Sequence, residues 1–125
     1  LLKFSRRTRA QLNRWAARYG YRENPGEILD YAKGDNSTRY ACVNLNNCAT
    51  IEFRIFRGTL KWNTLIAALQ MVNRICDAAL YSSDEEVQEL SWTDLMSRID
   101  EPELIQYLKE RRLYINDAVS GEEEV

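Results

Sequence analysis

The chain of 125 residues contains 17 Lys and Arg, 19 Asp and Glu, three Cys and no His. Its apolar fraction of 45% excludes an intrinsically disordered chain, and no uninterrupted apolar run reaches the ~18 residues that a membrane span requires. The lack of histidine excludes Ser–His and Cys–His catalysis and removes the commonest metal ligand. We expect one domain over residues 1–116 and a flexible acidic tail over residues 117–125. Because the sequence begins with Leu1-Leu2 rather than Met, we also expect it to be a fragment of a longer protein.

The net charge of −2 conceals a gradient of charge along the chain. Residues 1–22 carry seven basic and no acidic residues, whereas residues 83–125 carry thirteen acidic and four basic residues. A basic N-terminal helix is typical of a surface that contacts nucleic-acid phosphates, and the acidic end could imitate nucleic acid. The alternative is that both are solvated helix faces or that they attract one another. The candidate phosphate-contacting residues are Arg6, Arg7, Arg9, Arg14 and Arg18.

Cys42, Cys48 and Cys76 form an odd set without the Cys-x-x-Cys spacing of a zinc site or a redox motif. Free thiols are typical of a reducing compartment, so we expect a cytoplasmic protein with buried, unpaired cysteines. A nucleophilic cysteine would need an activating base, and the sequence has no histidine to supply one.

Two helices are predicted at the start of the chain. An apolar stripe that includes Leu12 and Trp15 predicts a helix over residues 5–19, with Ser5 as its N-cap. A second, short helix is predicted over residues 24–34, opened by Asn-Pro and ended by Gly. Each of the three tryptophans in the sequence lies on an apolar helical stripe, so we expect all three to pack in the core.

An antiparallel β-hairpin is predicted over residues 38–45 and 50–56, where polar and apolar residues alternate. The intervening Asn46-Asn47 tolerates the positive φ values of a tight turn. As a two-residue loop it would pair Cys42 with Ile51 and send Ile51 to the core, a register that a longer loop would change.

The second half of the chain is predicted to be helical. A long helix is expected over residues 60–81, followed by helices over residues 84–90, 92–99 and 103–113. The order helices, hairpin, helices indicates an α+β fold. The expected core stripe of the long helix consists of Trp62, Leu65, Ile66, Leu69, Val72, Ile75, Cys76, Ala79 and Leu80.

The most informative residues lie on the second predicted strand. Glu52 and Arg54 are two positions apart, so their side chains project from one face, roughly 6–7 Å apart at the backbone. A carboxylate suits Mg²⁺ and a guanidinium suits phosphate or carboxylate oxygens. In the two-residue-loop register Arg39 shares this face as a second cation, and Asn44 lies on the other. The alternative is a surface salt bridge of little energetic worth.

Residues 39–45 (RYACVNL) and 49–60 (ATIEFRIFRGTL) resemble the C-terminal part of the amidoligase family, which shares the fold of glutamine-synthetase-like carboxylate–amine ligases. The resemblance implies that Glu52 is a Mg²⁺ or nucleotide-site carboxylate and that Arg54 binds phosphate or a substrate carboxylate. It also implies that Arg39 and Arg57 are supporting cations. The implied reaction activates a carboxylate with ATP as an acyl phosphate, which an amine attacks to form an amide.

Members of that family draw further metal carboxylates, often in a Glu-x-Glu strand, from an N-terminal half that this sequence lacks. We therefore expect an incomplete ligase module that is weakly active or inactive unless missing sequence, another protein or a homo-oligomer completes the site. The alternative is a non-catalytic binding or inhibitor protein of a phage or mobile element, similar in role to an anti-CRISPR protein. That protein would use its charged helical surfaces. A structural helix–hairpin module within an oligomer is a third interpretation.

Overall fold

The computed structural model of the chain describes residues 1–17, 28, 30, 32–33 and 40–114. It confirms an α+β fold with a small antiparallel sheet. The chain divides into two compact units, Leu1–Arg57 and Gly58–Val125, which we call the N-terminal and the C-terminal unit. The predicted single domain over residues 1–116 remains a prediction. The predicted tail at residues 117–125 lies outside the described residues.

The boundary between the units is also the boundary between opposite charges. The N-terminal unit has 11 Lys and Arg against five Asp and Glu, a net charge of +6. The C-terminal unit has six against 14, a net charge of −8. The gradient predicted from the sequence is therefore a difference between two compact units.

The N-terminal unit begins with two short helices, α1 at Leu2–Ser5 and α2 at Arg9–Trp15, in place of the single helix predicted over residues 5–19. Arg6 ends α1 in the left-handed conformation, with φ of 61°. Thr8 then starts α2 with a capping box, in which its hydroxyl accepts the Gln11 N–H and the Gln11 side chain accepts the Thr8 N–H.

The predicted N-cap, Ser5, is instead the last residue of α1, and its hydroxyl donates to the Leu2 carbonyl. Of the second predicted helix, Ile28, Asp30, Ala32 and Lys33 are helical. The residues that would open and close that helix lie outside the described part of the chain.

The sheet consists of β1 at Val43–Asn44 and β2 at Glu52–Phe53. Val43 pairs with Phe53 and Asn44 pairs with Glu52, so the predicted register is wrong by three residues. The reason is the connection, which has seven residues rather than two. Because the shift is odd, it moves Asn44 to the face of Glu52. Ile51, predicted to face the core, belongs to the connection and is 61% exposed.

The C-terminal unit is helical within its described residues. The four helices lie close to their predicted positions: α3 at Trp62–Tyr81, α4 at Asp84–Glu89, α5 at Trp92–Ser97 and α6 at Pro102–Glu110. Ser83 and Ser91 start α4 and α5 with capping boxes, and Pro102 occupies the first turn of α6. Among the described residues, no helix combines the length and hydropathy needed to cross a membrane.

The core of the C-terminal unit forms where α3 packs against α6. Ala67, Met71, Leu104 and Leu108 are fully buried there. The face of α3 that is buried carries Thr64, Ala67, Met71 and Ala78. The predicted core stripe of α3 is therefore wrong, because each of its members is half-buried or exposed and a different face of the helix is buried.

An ion-pair cluster closes one side of this helix pair. Arg74 of α3 donates from Nε to both carboxylate oxygens of Glu101, at 2.8 and 3.1 Å, and pairs with Asp100. Burial by itself raises the pKa of Glu101, but the hydrogen bonds from Arg74 and from the backbone outweigh it, so the pKa lies below its usual value. The cluster fixes the start of α6 against α3.

Candidate functional site

Glu52 and Arg54, predicted from the sequence to act together, do lie together. Glu52 is in β2 and Arg54 follows it one residue beyond the strand, and Arg54 Nη1 donates to Glu52 Oε1 at 2.6 Å. The Arg54 side chain is 25% exposed and that of Glu52 is 43% exposed. The two groups thus form a partly exposed ion pair, which is the geometry expected if they are a surface salt bridge and not a ligand site.

The Arg54 guanidinium has two further contacts. Its Nε donates to the backbone carbonyl of Trp15 at 3.3 Å, and its Cζ lies over the Tyr40 ring, 5.4 Å from the ring centroid. Because Trp15 is the last residue of α2, Arg54 connects the sheet to the end of that helix. Since Arg54 Nη1 already donates to Glu52, a phosphate or carboxylate ligand would have to compete with Glu52 for this guanidinium.

Asn44 was predicted to lie on the face of the sheet opposite Glu52, and this prediction is wrong. It lies opposite Glu52 across the two strands and is only 4% exposed. Its Oδ1 accepts the Asn46 N–H at 3.0 Å, so the side chain holds the start of the seven-residue connection. The Asn-x-Asn spacing of residues 44 and 46 is the sequence signal for this Asx turn.

Two further arginines, Arg39 and Arg57, were predicted to support the site. Arg39 lies outside the described part of the chain. Arg57 is exposed, and its backbone N–H donates to the Ser5 carbonyl at 3.0 Å, which places its backbone beside α1. Within the described residues the structure therefore brings together Glu52 and Arg54.

The resemblance predicts a Mg²⁺ site, which requires oxygen ligands that lie close together. No group of three or more His, Cys, Asp or Glu side chains that could hold a metal ion occurs among residues the structure describes. Mg²⁺ takes six oxygen ligands, commonly one or two protein carboxylates with substrate phosphates and waters. Glu52 offers one carboxylate, and Arg54 already engages it. These side chains do not form a magnesium site by themselves.

A basic and aromatic surface adjoins this ion pair. The Arg14 guanidinium lies over the Trp15 ring, 4.7 Å from its centroid, and Trp15 meets Tyr40 edge-to-face at 5.3 Å. With Arg54 over Tyr40, the order is arginine, tryptophan, tyrosine, arginine. Trp15 is 38% exposed, so the prediction that it is a core residue is wrong.

Arg6 and Arg7, which follow α1, and Arg9 and Arg14 of α2 add positive charge to the N-terminal unit. Arg9 and Arg14 are exposed, whereas Arg6 and Arg7 are half-buried. Arg7 Nη2 donates to the Phe56 carbonyl at 3.3 Å, which ties α1 to the chain after β2. We call Arg6, Arg7, Arg9, Arg14 and Trp15 the basic face; Arg18, also predicted to belong to it, lies outside the described residues.

No protein-family model, curated protein or solved structure matches this chain. The assignment of a function therefore depends on the residues and contacts of the chain itself. Two features carry it: the Glu52–Arg54 ion pair and the basic face.

Proposed function

We propose that this chain is a non-catalytic binding protein that contacts single-stranded nucleic acid through the basic face of its N-terminal unit. The observation that carries the proposal is the sorting of charge: the unit that contains the basic face has a net charge of +6. An excess of arginines in one unit attracts phosphates without the need for a catalytic residue.

The aromatic pair within this surface favours a single strand over a duplex. Trp15 and Tyr40 lie between two arginines, and Trp15 is 38% exposed. Unpaired bases stack on such rings, whereas the bases of a duplex are already stacked on one another. Arg14, which covers the Trp15 ring in the free protein, is an exposed side chain that a base could displace.

Fluorescence anisotropy of a labelled 15-nucleotide single strand tests this proposal. We expect binding by the full chain at 50 mM salt that weakens strongly at 200 mM. The double variant Arg9→Gln/Arg14→Gln should bind at least about tenfold more weakly. The slope of log K against log salt should fall by about 1.4, because each lost phosphate contact to a single strand changes it by about 0.7.

The matched control is Lys109→Gln/Arg112→Gln, which removes the same charge from exposed positions of the C-terminal unit. This control should keep the affinity and the salt slope of the native chain. If it weakens binding as much as the first variant, binding follows net charge and not the basic face. If the native chain does not bind at 50 mM salt, the proposal is wrong.

A second candidate function is the amidoligase-like one. The observation that favours it is that the two residues to which the resemblance assigns metal and phosphate contacts lie 2.6 Å apart, with Glu52 43% exposed. In this proposal Glu52 and Arg54 bind Mg²⁺–ATP, with the nucleotide phosphates completing the coordination of the metal, and another chain or further sequence supplies the groups that ligation requires.

Thermal unfolding in the presence of Mg²⁺ and ATP tests the second candidate. A ligand of the native state stabilises by mass action, about 2.7 kcal/mol at one hundred times its dissociation constant. We expect a rise in the unfolding temperature of the native chain that Glu52→Gln removes. The control Glu85→Gln, an exposed residue of α4, should keep the rise. No rise with the native chain at millimolar Mg²⁺ and ATP contradicts this candidate.

A further inference from the structure

Helix α3 is apolar on two opposite sides. One side packs within the C-terminal unit, as described above. The other carries Trp62, Leu65, Leu69 and Leu80, which are 74%, 41%, 55% and 73% exposed. If a large apolar side chain has an area of roughly 200 Å², these four expose about 500 Å² of mostly apolar surface. The largest exposed apolar patch of a monomeric protein typically measures about 300–600 Å² and is often functional.

The spacing on this side of α3 is the spacing of a helix-pairing seam. Apolar residues recur at intervals of three and four along most of the 20-residue helix, the a and d pattern of two helices packed side by side. We call these positions the α3 seam. They are Trp62, Leu65, Leu69, Val72, Cys76 and Ala79.

We propose that the α3 seam pairs with the α3 seam of a second copy of this chain, antiparallel and about a two-fold axis. In an antiparallel pair each a position meets a d position of the other helix, so one surface can be complementary to itself. The proposal concerns the C-terminal unit and does not depend on the function proposed for the basic face.

The sizes of the side chains favour the antiparallel arrangement. With the axis between residues 69 and 72, Trp62 faces Ala79, Leu65 faces Cys76 and Leu69 faces Val72 of the second copy. Each larger side chain thus meets a smaller one, which fills the interface evenly. A parallel pair would instead place the two Trp62 side chains in one layer and two alanines in another.

The charges at the ends of α3 favour the same arrangement. Lys61 is the N-cap of α3, and the acidic first turn of α4, Asp84, Glu85 and Glu86, follows its other end closely. An antiparallel pair brings the Lys61 end of one copy to the acidic end of the other. A parallel pair brings like charges together, which is unfavourable.

The available area is sufficient for a specific dimer. Trp62, Leu65 and Leu69 of the seam, together with the adjoining Leu80, expose about 500 Å² per copy. Two copies that bury this surface lose about 1,000 Å² together, the lower limit expected of a biological interface. The half-buried Val72 and Cys76 of the seam add to this area.

Sedimentation velocity of the full chain over a range of concentrations tests the proposal. We expect a dimer of twice the 14.6 kDa chain mass. Leu69→Glu places one charge per copy at the centre of the seam and should raise the dimer dissociation constant at least about 100-fold. The control Val87→Glu adds the same charge to another exposed apolar position, 44% exposed on α4, and should leave the dimer intact.

A native chain that is monomeric up to about 100 μM, or that assembles beyond a dimer, overturns the proposal. Loss of the dimer in Val87→Glu also overturns it, since the seam would not then be the interface. Circular dichroism of each variant, with unchanged helical content, shows that Leu69→Glu acts on association and not on folding.

Disulfide cross-linking tests the orientation, in a Cys42→Ser/Cys48→Ser background that leaves Cys76. Leu65→Cys should form a covalent dimer with Cys76 of the second copy under mild oxidation. Within one helix these positions are 11 residues, or about 16 Å, apart, so they cannot join in a monomer. Cross-linking of the background protein through Cys76 alone would indicate a parallel pair and overturn the antiparallel arrangement.

Discussion

Replacement of Arg54 by Met distinguishes a structural guanidinium from one that is free to bind a ligand. The hydrogen bond to the Trp15 carbonyl contributes about 0.5–1.5 kcal/mol, and the contact with the Tyr40 ring about 0.5–1 kcal/mol. The partly exposed pair with Glu52 adds about 0.2–1 kcal/mol after solvent screening. Because one group makes all three contacts, they are not strictly additive. We expect Arg54→Met to lower the free energy of unfolding of the N-terminal unit by about 2 kcal/mol.

Urea denaturation followed by far-UV circular dichroism measures this loss as a lower midpoint with an unchanged slope. The matched control is Arg57→Met, an exposed arginine three positions along, for which we expect a change within about 0.5 kcal/mol. Glu52→Gln should cost less than Arg54→Met, because it leaves the Trp15 and Tyr40 contacts in place. Equal stability of the Arg54 and Arg57 variants would refute the reasoning and leave the guanidinium available for a ligand.

Three further outcomes follow from the contacts described above. Leu104→Ala, at a fully buried position, should lower the free energy of unfolding in urea by about 2–5 kcal/mol, whereas Leu60→Ala, at a fully exposed one, should change it by less than about 0.5 kcal/mol. Contacts that include the hydrogen bond from Arg74 lower the pKa of Glu101 in the folded state. Ionised Glu101 therefore contributes its full stabilisation of the fold above pH 4.5, its unfolded pKa, and this contribution is lost as the pH falls through the folded pKa. Glu101→Gln should therefore flatten the acid side of a stability–pH curve measured by urea titration, and an unchanged curve would contradict this. Thr8→Ala should destabilise α2 by about 1 kcal/mol in the same denaturation assay, and an unaltered midpoint would show that its capping box is dispensable.

The helices of the C-terminal unit could be predicted from the sequence because their starts are set locally. Ser83 with Glu86 and Ser91 with Asp94 are capping boxes, and Pro102 marks the first turn of α6. Thr8 and Gln11 form the same kind of signal, which the apolar stripe across residues 5–19 obscured. The interruption at Arg6 is the part that local propensity does not predict, since arginine disfavours positive φ.

The sheet register could not be predicted, because it depends on the length of the connection. Asn46-Asn47 suits a tight turn, but Asn46 instead donates its N–H to Asn44 within a connection of seven residues. The placement of Glu52 and Arg54 on one face depends only on their spacing, so it did not require the register. Whether they would bind each other or a ligand depends on tertiary contacts such as the one to the Trp15 carbonyl.

The buried face of α3 was mispredicted for a related reason. The largest apolar side chains define a clear stripe, but Ala67 and Ala78 on the other side of the helix are the buried residues. Periodicity shows that a helix has an apolar face and does not show which neighbour covers it. Helix α3 has two apolar faces, and α6 can cover only one of them.

Helix α4 has a consequence for how the C-terminal unit opens. It has six residues, Asp84–Glu89, and none of them is buried. A helix this short is unstable in isolation, and here the reciprocal Ser83 and Glu86 hydrogen bonds, with three acids in the first turn, compensate in part. Its amide hydrogens should therefore exchange with solvent before those of α3 and α6, and a protease should cleave first beside it. We therefore expect a protease to cut the C-terminal unit within the acidic segment Asp84–Glu89 while the helix pair around Met71 and Leu104 remains folded.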